Sequence, residues 1–321
     1  YWRCTLTNDQ DDIDKKVISF EKKIVFYPSY RIAYAILEKS VECTRLRGIP
    51  SSAILIGPSG SGKSTLREIF CEAYSRFELE ICSDGIYNTT PALQCEVPAE
   101  ATIKSFAKEL LLGLNCSDLQ GDTVDLEFRI LELLKTRRTA FIIIDEFHLL
   151  ARPETIKTAD HVTDWLLSLL NRSKLPIIVV GKPNCKDVIY RKPELARRYP
   201  FIAELQHLSF DENSNSEYVM TLQCLDQELY NIGNLKKGVH LTDPTIATRL
   251  FVATQGNLEY LRLILSNAFQ ICLKRGDQTL NLSDFIETCS FLELSCSLSK
   301  SKNPFELDLT KVYSIIHERL K

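Results

Sequence analysis

The residues with the plainest chemical meaning are Gly57, Pro58, Ser59, Gly60, Ser61, Gly62, Lys63, Ser64 and Thr65. The first eight follow the pattern of a glycine, four variable residues, then Gly-Lys-Ser/Thr. Glycines let the backbone curl with its N–H groups pointing inward, where they meet phosphate oxygens at the positive end of the helix that follows. Lys63 is spaced to bridge β- and γ-phosphates, and the Ser64 hydroxyl is spaced to ligate Mg²⁺. The run through Thr65 therefore reads as a binding loop for ATP.

A second group is the segment Phe141-Ile142-Ile143-Ile144-Asp145-Glu146. Its apolar residues predict a buried strand that delivers two carboxylates to its C-terminal edge, beside the phosphate loop in sheets of this kind. Asp145 is expected to hold Mg²⁺ through water. Glu146 is expected to orient and deprotonate an attacking water, the step that separates a hydrolase from a passive nucleotide binder. Together the loop and the acidic strand predict an ATP hydrolase. His148 continues this run, either as a structural residue or as a coupling element.

Such groups work only on a scaffold that holds them. The chain has 321 residues, 45% hydrophobic and 25% charged, the balance of a protein that buries a proper core, and this excludes disorder for most of its length. No apolar run approaches the roughly 18 residues needed to cross a bilayer, and the polar, acidic start does not read as a secretory leader. A cytoplasmic location is expected. The eleven cysteines are scattered from Cys4 to Cys296 without CxxC spacing, so they read as thiols rather than as disulfides or a zinc site. A net charge of −3 restricts any nucleic-acid contact to a local patch, repeated by assembly.

The pattern along the chain divides it into an arm (1–26), an α/β core (27–210) and a helical lid with a tail (211–321). Apolar residues recur at helical spacing over 30–47 and stop at Gly48. A strand is predicted at 53–56, a helix over 63–76, a strand at 79–87, and helices over 102–114 and 124–137. Strands follow at 140–144, 176–180 and 202–208, with a helical stretch through 165–170. Solidly apolar strands alternating with helices predict a parallel sheet covered on both faces. After the Asn/Ser-rich stretch 211–216, helices are predicted over 214–232, 243–254, 257–273, 281–294 and 308–320, with no strand between them.

Over roughly 25–305 the chain resembles the AAA+ superfamily and, within it, the TniB/TnsC family of transposition ATPases. The resemblance rests on the helix before the phosphate loop, PAEATIKSFAKELLLGLN, FIIIDEFHLL, IIVVGKPN, ELARRYPF and the late NPF at 303–305. It implies an AAA+ P-loop core with a helical lid and a homo-oligomer, ring or helical filament, on double-stranded DNA. The implied partners are transposase subunits and a target selector of TniQ type; ATP would drive assembly and its hydrolysis would disassemble the complex. The resemblance further implies that Asn184 is a polar sensor near the γ-phosphate. It places Arg197 and Arg198 as arginine fingers reaching into a neighbour's nucleotide, where a guanidinium neutralises charge on the transferring phosphoryl group. One departure concerns the second sensor of many AAA+ lids, a GxxR pattern: here Gly256 is followed three residues later by Glu259, and the nearest arginine is Arg262. That departure fits slow hydrolysis.

Between 182 and 198, six basic residues (Lys182, Lys186, Arg191, Lys192, Arg197, Arg198) stand against Asp187 and Glu194, as a subunit interface or a DNA-backbone patch. By the resemblance, Lys104 and Lys157 face a central channel and contact phosphates. Nothing predicts base-specific reading. The segment after Asn303 and the N-terminal arm are the expected docking tails for the transposase. Competing readings are a replication initiator or loader of the Orc/Cdc6 type, a small-molecule kinase, and a signalling or secretion ATPase that never meets DNA.

Overall fold

The computed structural model describes residues 8–75, 79–82, 85–152, 156–300 and 302–319, and forms two units, one of residues 29–206 and one of 1–28 with 207–321. In chain order, α1 (Asn8–Glu21) belongs to the second unit and α2 (Pro28–Arg47) opens the first.

The first unit continues with β1 (Ala53–Ile56), α3 (Lys63–Ser75), β2 (Leu79–Cys82), β3 (Gly85–Asn88), β4 (Ala92–Glu96), α4 (Ile103–Gly113) and α5 (Thr123–Thr136). Then come β5 (Phe141–Asp145), α6 (Ile156–Ser173), β6 (Ile177–Gly181), α7 (Cys185–Tyr190), α8 (Pro193–Ala196) and β7 (Phe201–Glu204). Five strands pair in parallel in the order β4-β5-β6-β1-β7. Every residue of β1, β5 and β6 is buried, which is why these strands are apolar throughout instead of alternating. The register sets Ile56 against Gly181, Ile144 against Val179 and Glu96 against Asp145, so the C-terminal ends of four strands share one edge. That edge is where chain reversals in such sheets leave a crevice for ligands.

The expected strand over 79–87 is instead a two-stranded antiparallel hairpin, β2 with β3, outside the main sheet. One edge strand of the main sheet is β4, which the sequence pattern did not signal. Its residues alternate between buried and exposed toward the end, as an edge position allows. Side-chain caps fix where the next helices begin. Thr102 and Ser105 form a reciprocal capping box at α4, and Asp122 and Asp125 form another at α5.

The second unit holds α1, α9 (Glu217–Gly233), β8 (Lys237–Gly238), α10 (Pro244–Thr254), α11 (Leu258–Arg275), β9 (Thr279–Leu280), α12 (Leu282–Phe291) and α13 (Leu309–Arg319). The predicted helices are present, with one addition: β8 and β9 form a short parallel pair. The segment read as an N-terminal arm packs through α1, whose Phe20 is fully buried with its ring centroid 5.8 Å from that of Phe269. The late NPF likewise anchors its chain. Asn303 donates to the Ile286 carbonyl at 2.8 Å, and Phe305 is buried, stacked on Phe285 at 5.2 Å. Val312 and Ile316 of α13 are fully buried. Among the described residues, no helix is long and apolar enough to cross a membrane, and the cysteines are free thiols.

Candidate functional site

The phosphate loop runs from the end of β1 into the first turn of α3. Gly60 and Gly62 take φ of 74° and 88°, a left-handed backbone that side-chain-bearing residues rarely adopt. Gly57 is constrained by space: a Cβ there would lie 2.3 Å from the Leu205 carbonyl oxygen. Its N–H donates to the Gly181 carbonyl at 3.2 Å, tying the loop to the end of β6. Pro58 lends its carbonyl twice, to the buried Ser61 hydroxyl at 2.9 Å and to Lys63 Nζ at 2.6 Å. Ser59, Ser64 and Thr65 are exposed. From the first turn of α2, the buried Tyr30 donates its hydroxyl to the Gly62 carbonyl at 3.2 Å. Burial lowers the Lys63 pKa below its ordinary value, while Asp145 and Glu146 pull it back up.

The acidic pair lies at the end of β5. Asp145 is buried, and both its oxygens are engaged: Oδ1 accepts the Glu146 N–H at 2.7 Å and Oδ2 accepts Arg67 Nη1 at 2.5 Å. Glu146 turns away from the strand with φ 56° and ψ 25°, which directs a half-exposed carboxylate toward solvent. His148 follows in a 3-10 turn, Phe147–Ala151, with Nδ1 at 3.5 Å from Glu146 Oε2. That nitrogen is buried and makes no well-aligned hydrogen bond. Gly181 makes room for it, because a Cβ there would sit 3.2 Å from Nδ1 and 2.6 Å from Cys185 Sγ. Burial lowers the His148 pKa, opposed by Glu146.

The structure thus brings the loop, Asp145 and Glu146 together. Asn184 lies exposed at the start of α7, just past the end of β6, with its side chain making no capping bond. Arg197 and Arg198 do not join their own chain's site. The Arg198 carbonyl accepts the Ser52 N–H at 2.7 Å, which sets the pair at the opposite edge of the sheet, beyond the start of β1. The two differ from each other. Arg198 donates to Asn171 Oδ1 at 2.8 Å, whereas Arg197 is exposed with no side-chain partner among the described residues.

The basic stretch is largely neutralised inside its own unit. Lys186 pairs with Glu204 at 3.3 Å, Arg191 with Asp160 at 3.6 Å and Lys192 with Asp164 at 2.5 Å. Of the six cations, Lys182 and Arg197 keep exposed side chains without an ion pair or hydrogen bond among the described residues. Lys104 and Lys157 are exposed in the first turns of α4 and α6. Arg262 is internal to the second unit. It donates to the Phe20 carbonyl at 2.9 Å and lies 5.1 Å from the centre of the Phe20 ring, so its guanidinium is consumed by packing α1.

Two contributors escaped the sequence reading. Arg67 lies four residues after Lys63, one helical turn along the same face, a spacing that could have placed it at the site. Tyr30 carries no local signal, since its role depends on how α2 packs. The residues fit a Mg²⁺–nucleotide. The left-handed Gly60 and Gly62 and the crowded Gly57 suit a backbone that curls around phosphate, and Ser64 and Asp145 offer the hard oxygens Mg²⁺ requires. Among the described residues no cluster of three His, Cys, Asp or Glu side chains converges, so phosphate oxygens and water would complete the shell.

A five-stranded parallel sheet with a phosphate loop after one strand and an acidic pair two strands away defines the AAA+ fold. Solved structures agree. The Pyrobaculum aerophilum Cdc6p structure aligns with a TM-score of 0.55 at 12% identity over 94% of this chain and 84% of that one. The Aeropyrum pernix ORC1 protein in complex with DNA gives 0.56 at 12% identity, covering 86% and 68%. The Thermotoga maritima RuvB Holliday junction branch migration motor gives 0.51 at 14%, covering 94% and 80%. The family model for the bacterial TniB protein matches residues 18–207, more than half of the chain, and the chain belongs to the TniB family. Among curated proteins, none matches it by sequence.

Proposed function

We propose that this chain is an ATP-dependent regulator of DNA transposition. It assembles as a homo-oligomer on double-stranded target DNA, links a target-selection protein of TniQ type to the transposase, and hydrolyses ATP to come apart. The observation that carries this reading is that the TniB match, 18–207, contains the phosphate loop, the acidic pair and the exposed Arg197 in one segment.

Bound Mg²⁺–ATP supplies the phosphoanhydride and neutralises charge on the phosphates. The loop N–H groups and Lys63 hold those phosphates, with Ser64 and Asp145 on the metal side. Glu146 takes the proton of the attacking water, and Asn184 orients that water. Arg197, too far along the sheet to reach its own site, serves a neighbouring copy, while Arg198 is tied to Asn171. The unpaired guanidinium supports Arg197, rather than Arg198, as the finger. Lys104 and Lys157 contact DNA phosphates, each weakly, with the effect multiplied by assembly.

Negative-stain microscopy with and without a non-hydrolysable ATP analogue and duplex DNA tests the reading. Rings or filaments that need both ligands are expected, and monomers under all conditions would refute it. Glu146→Gln is expected to keep nucleotide affinity and to accumulate these assemblies with ordinary ATP. A second reading, an initiator or loader of the Orc/Cdc6 type, is supported by the fold likeness to Cdc6p and the DNA-bound ORC1 protein. Stimulation of hydrolysis by transposase, rather than by DNA alone, separates the two.

A further inference from the structure

Arg67 holds a position no part of the proposed hydrolysis needs. It donates to Asp145 at 2.5 Å with both side chains largely buried, yet only one nitrogen of the guanidinium meets that carboxylate. Its Nε is buried and has no partner, and Nη2 reaches Glu68 Oε1 at 3.4 Å, an exposed carboxylate. A monodentate pair with an unsatisfied nitrogen and an alternative acceptor on the next residue is built to be exchanged.

Charge explains what the exchange would control. Lys63 and Arg67 face Asp145, Glu146 and the exposed Glu68. An unaccompanied divalent cation would leave that group with a net positive excess, whereas a metal–triphosphate brings its own anion. We propose that Arg67 is the resident counter-cation of Asp145, holding the carboxylate until a metal arrives bound to a triphosphate and turns the guanidinium out toward Glu68. The metal is thereby admitted only with nucleotide, and Arg67 acts as a positioning residue through Asp145. This rests on the reading of Asp145 as the metal-side carboxylate.

The test is titration of Mn²⁺ followed by electron paramagnetic resonance, on the full chain, with and without ATP. Wild type is expected to bind Mn²⁺ with ATP and far more weakly without it. Arg67→Gln, which leaves Asp145 unpaired, is expected to bind Mn²⁺ alone about tenfold more tightly or better. Adding Asp145→Asn should remove that gain. Arg67→Lys, which keeps the cation, should stay within about threefold of wild type. A folded Arg67→Gln with unchanged Mn²⁺ affinity would overturn the proposal, as would Arg67→Lys behaving like Arg67→Gln. Should the glutamine variant fail to fold, wild type binding Mn²⁺ equally well with and without ATP still refutes it. Asp145→Asn holding Mn²⁺–ATP as tightly as wild type would instead remove the underlying reading of Asp145.

Discussion

In the α/β unit, Gly60 and Gly62 turn left-handed and their N–H groups have no partner among the described residues, while the exposed Ser64 hydroxyl stands beside them. In the helical unit, Gly256 also turns left-handed, with φ 72°, and a cation follows it at Arg262. There every group is spent. The Gly256 carbonyl accepts the Leu208 N–H at 3.0 Å, its N–H donates to Thr254 Oγ1 at 3.3 Å, and Arg262 is fixed to Phe20. The same residue types therefore build a ligand site in one unit and a joint in the other. What separates them is whether the chain satisfies its own polar groups. Polar groups that the fold leaves unmatched stay available to a ligand, whereas matched ones do not.

Mutations can break this contrast, and the largest effect falls on the ligand side. Lys63→Ala should abolish ATP binding in calorimetry, a loss of about a hundredfold or more, with little change in melting temperature. Retained affinity would contradict the loop assignment. Gly256→Ala should do the reverse. A Cβ there would lie 1.8 Å from the Leu208 carbonyl oxygen, so a destabilisation on the order of 3 kcal/mol is expected by denaturant titration, with ATP affinity of the folded fraction unchanged.

The arginine pair sharpens the same point. Arg197→Ala should lower hydrolysis by the assembled protein about a hundredfold and leave stability within about 0.5 kcal/mol of wild type. Arg198→Ala should cost about 1 kcal/mol of stability through its lost bond to Asn171 and barely affect turnover. Equal turnover defects in both would refute the division of roles.

The smallest effect is a pH dependence. Burial lowers the His148 pKa, so below the ordinary value of 6.5 the unfolded chain takes up a proton that the folded chain resists. Stability should fall as pH drops from 7 to 5.5. His148→Gln should flatten that slope, and an identical slope in both proteins would show that His148 is not its source.

The sequence carried the parts of this molecule that are local. Phosphate loop, acidic strand and the alternation of apolar strands with helices each occupy a short window with its own periodicity, and the structure reproduces them. What escaped depends on distant pairings. The 182–198 stretch looks like a cationic surface because Asp160 and Asp164, which neutralise Arg191 and Lys192, lie on α6. Arg262 resembles a displaced sensor until Phe20, 242 residues away, is seen to hold it. β4 was missed because its five residues include two exposed polar ones, too weak a signal beside the longer run at 79–87.

The corner at Glu146 has one more implication. A left-handed backbone disfavours most side-chain-bearing residues by roughly 1–2 kcal/mol, and asparagine tolerates it far better than glutamate. The chain keeps a glutamate in that conformation at the point where β5 leaves the sheet. A redesign guided by thermal robustness alone would replace that position early and, on the role proposed for Glu146, would produce a sturdier molecule that grips its fuel and cannot burn it.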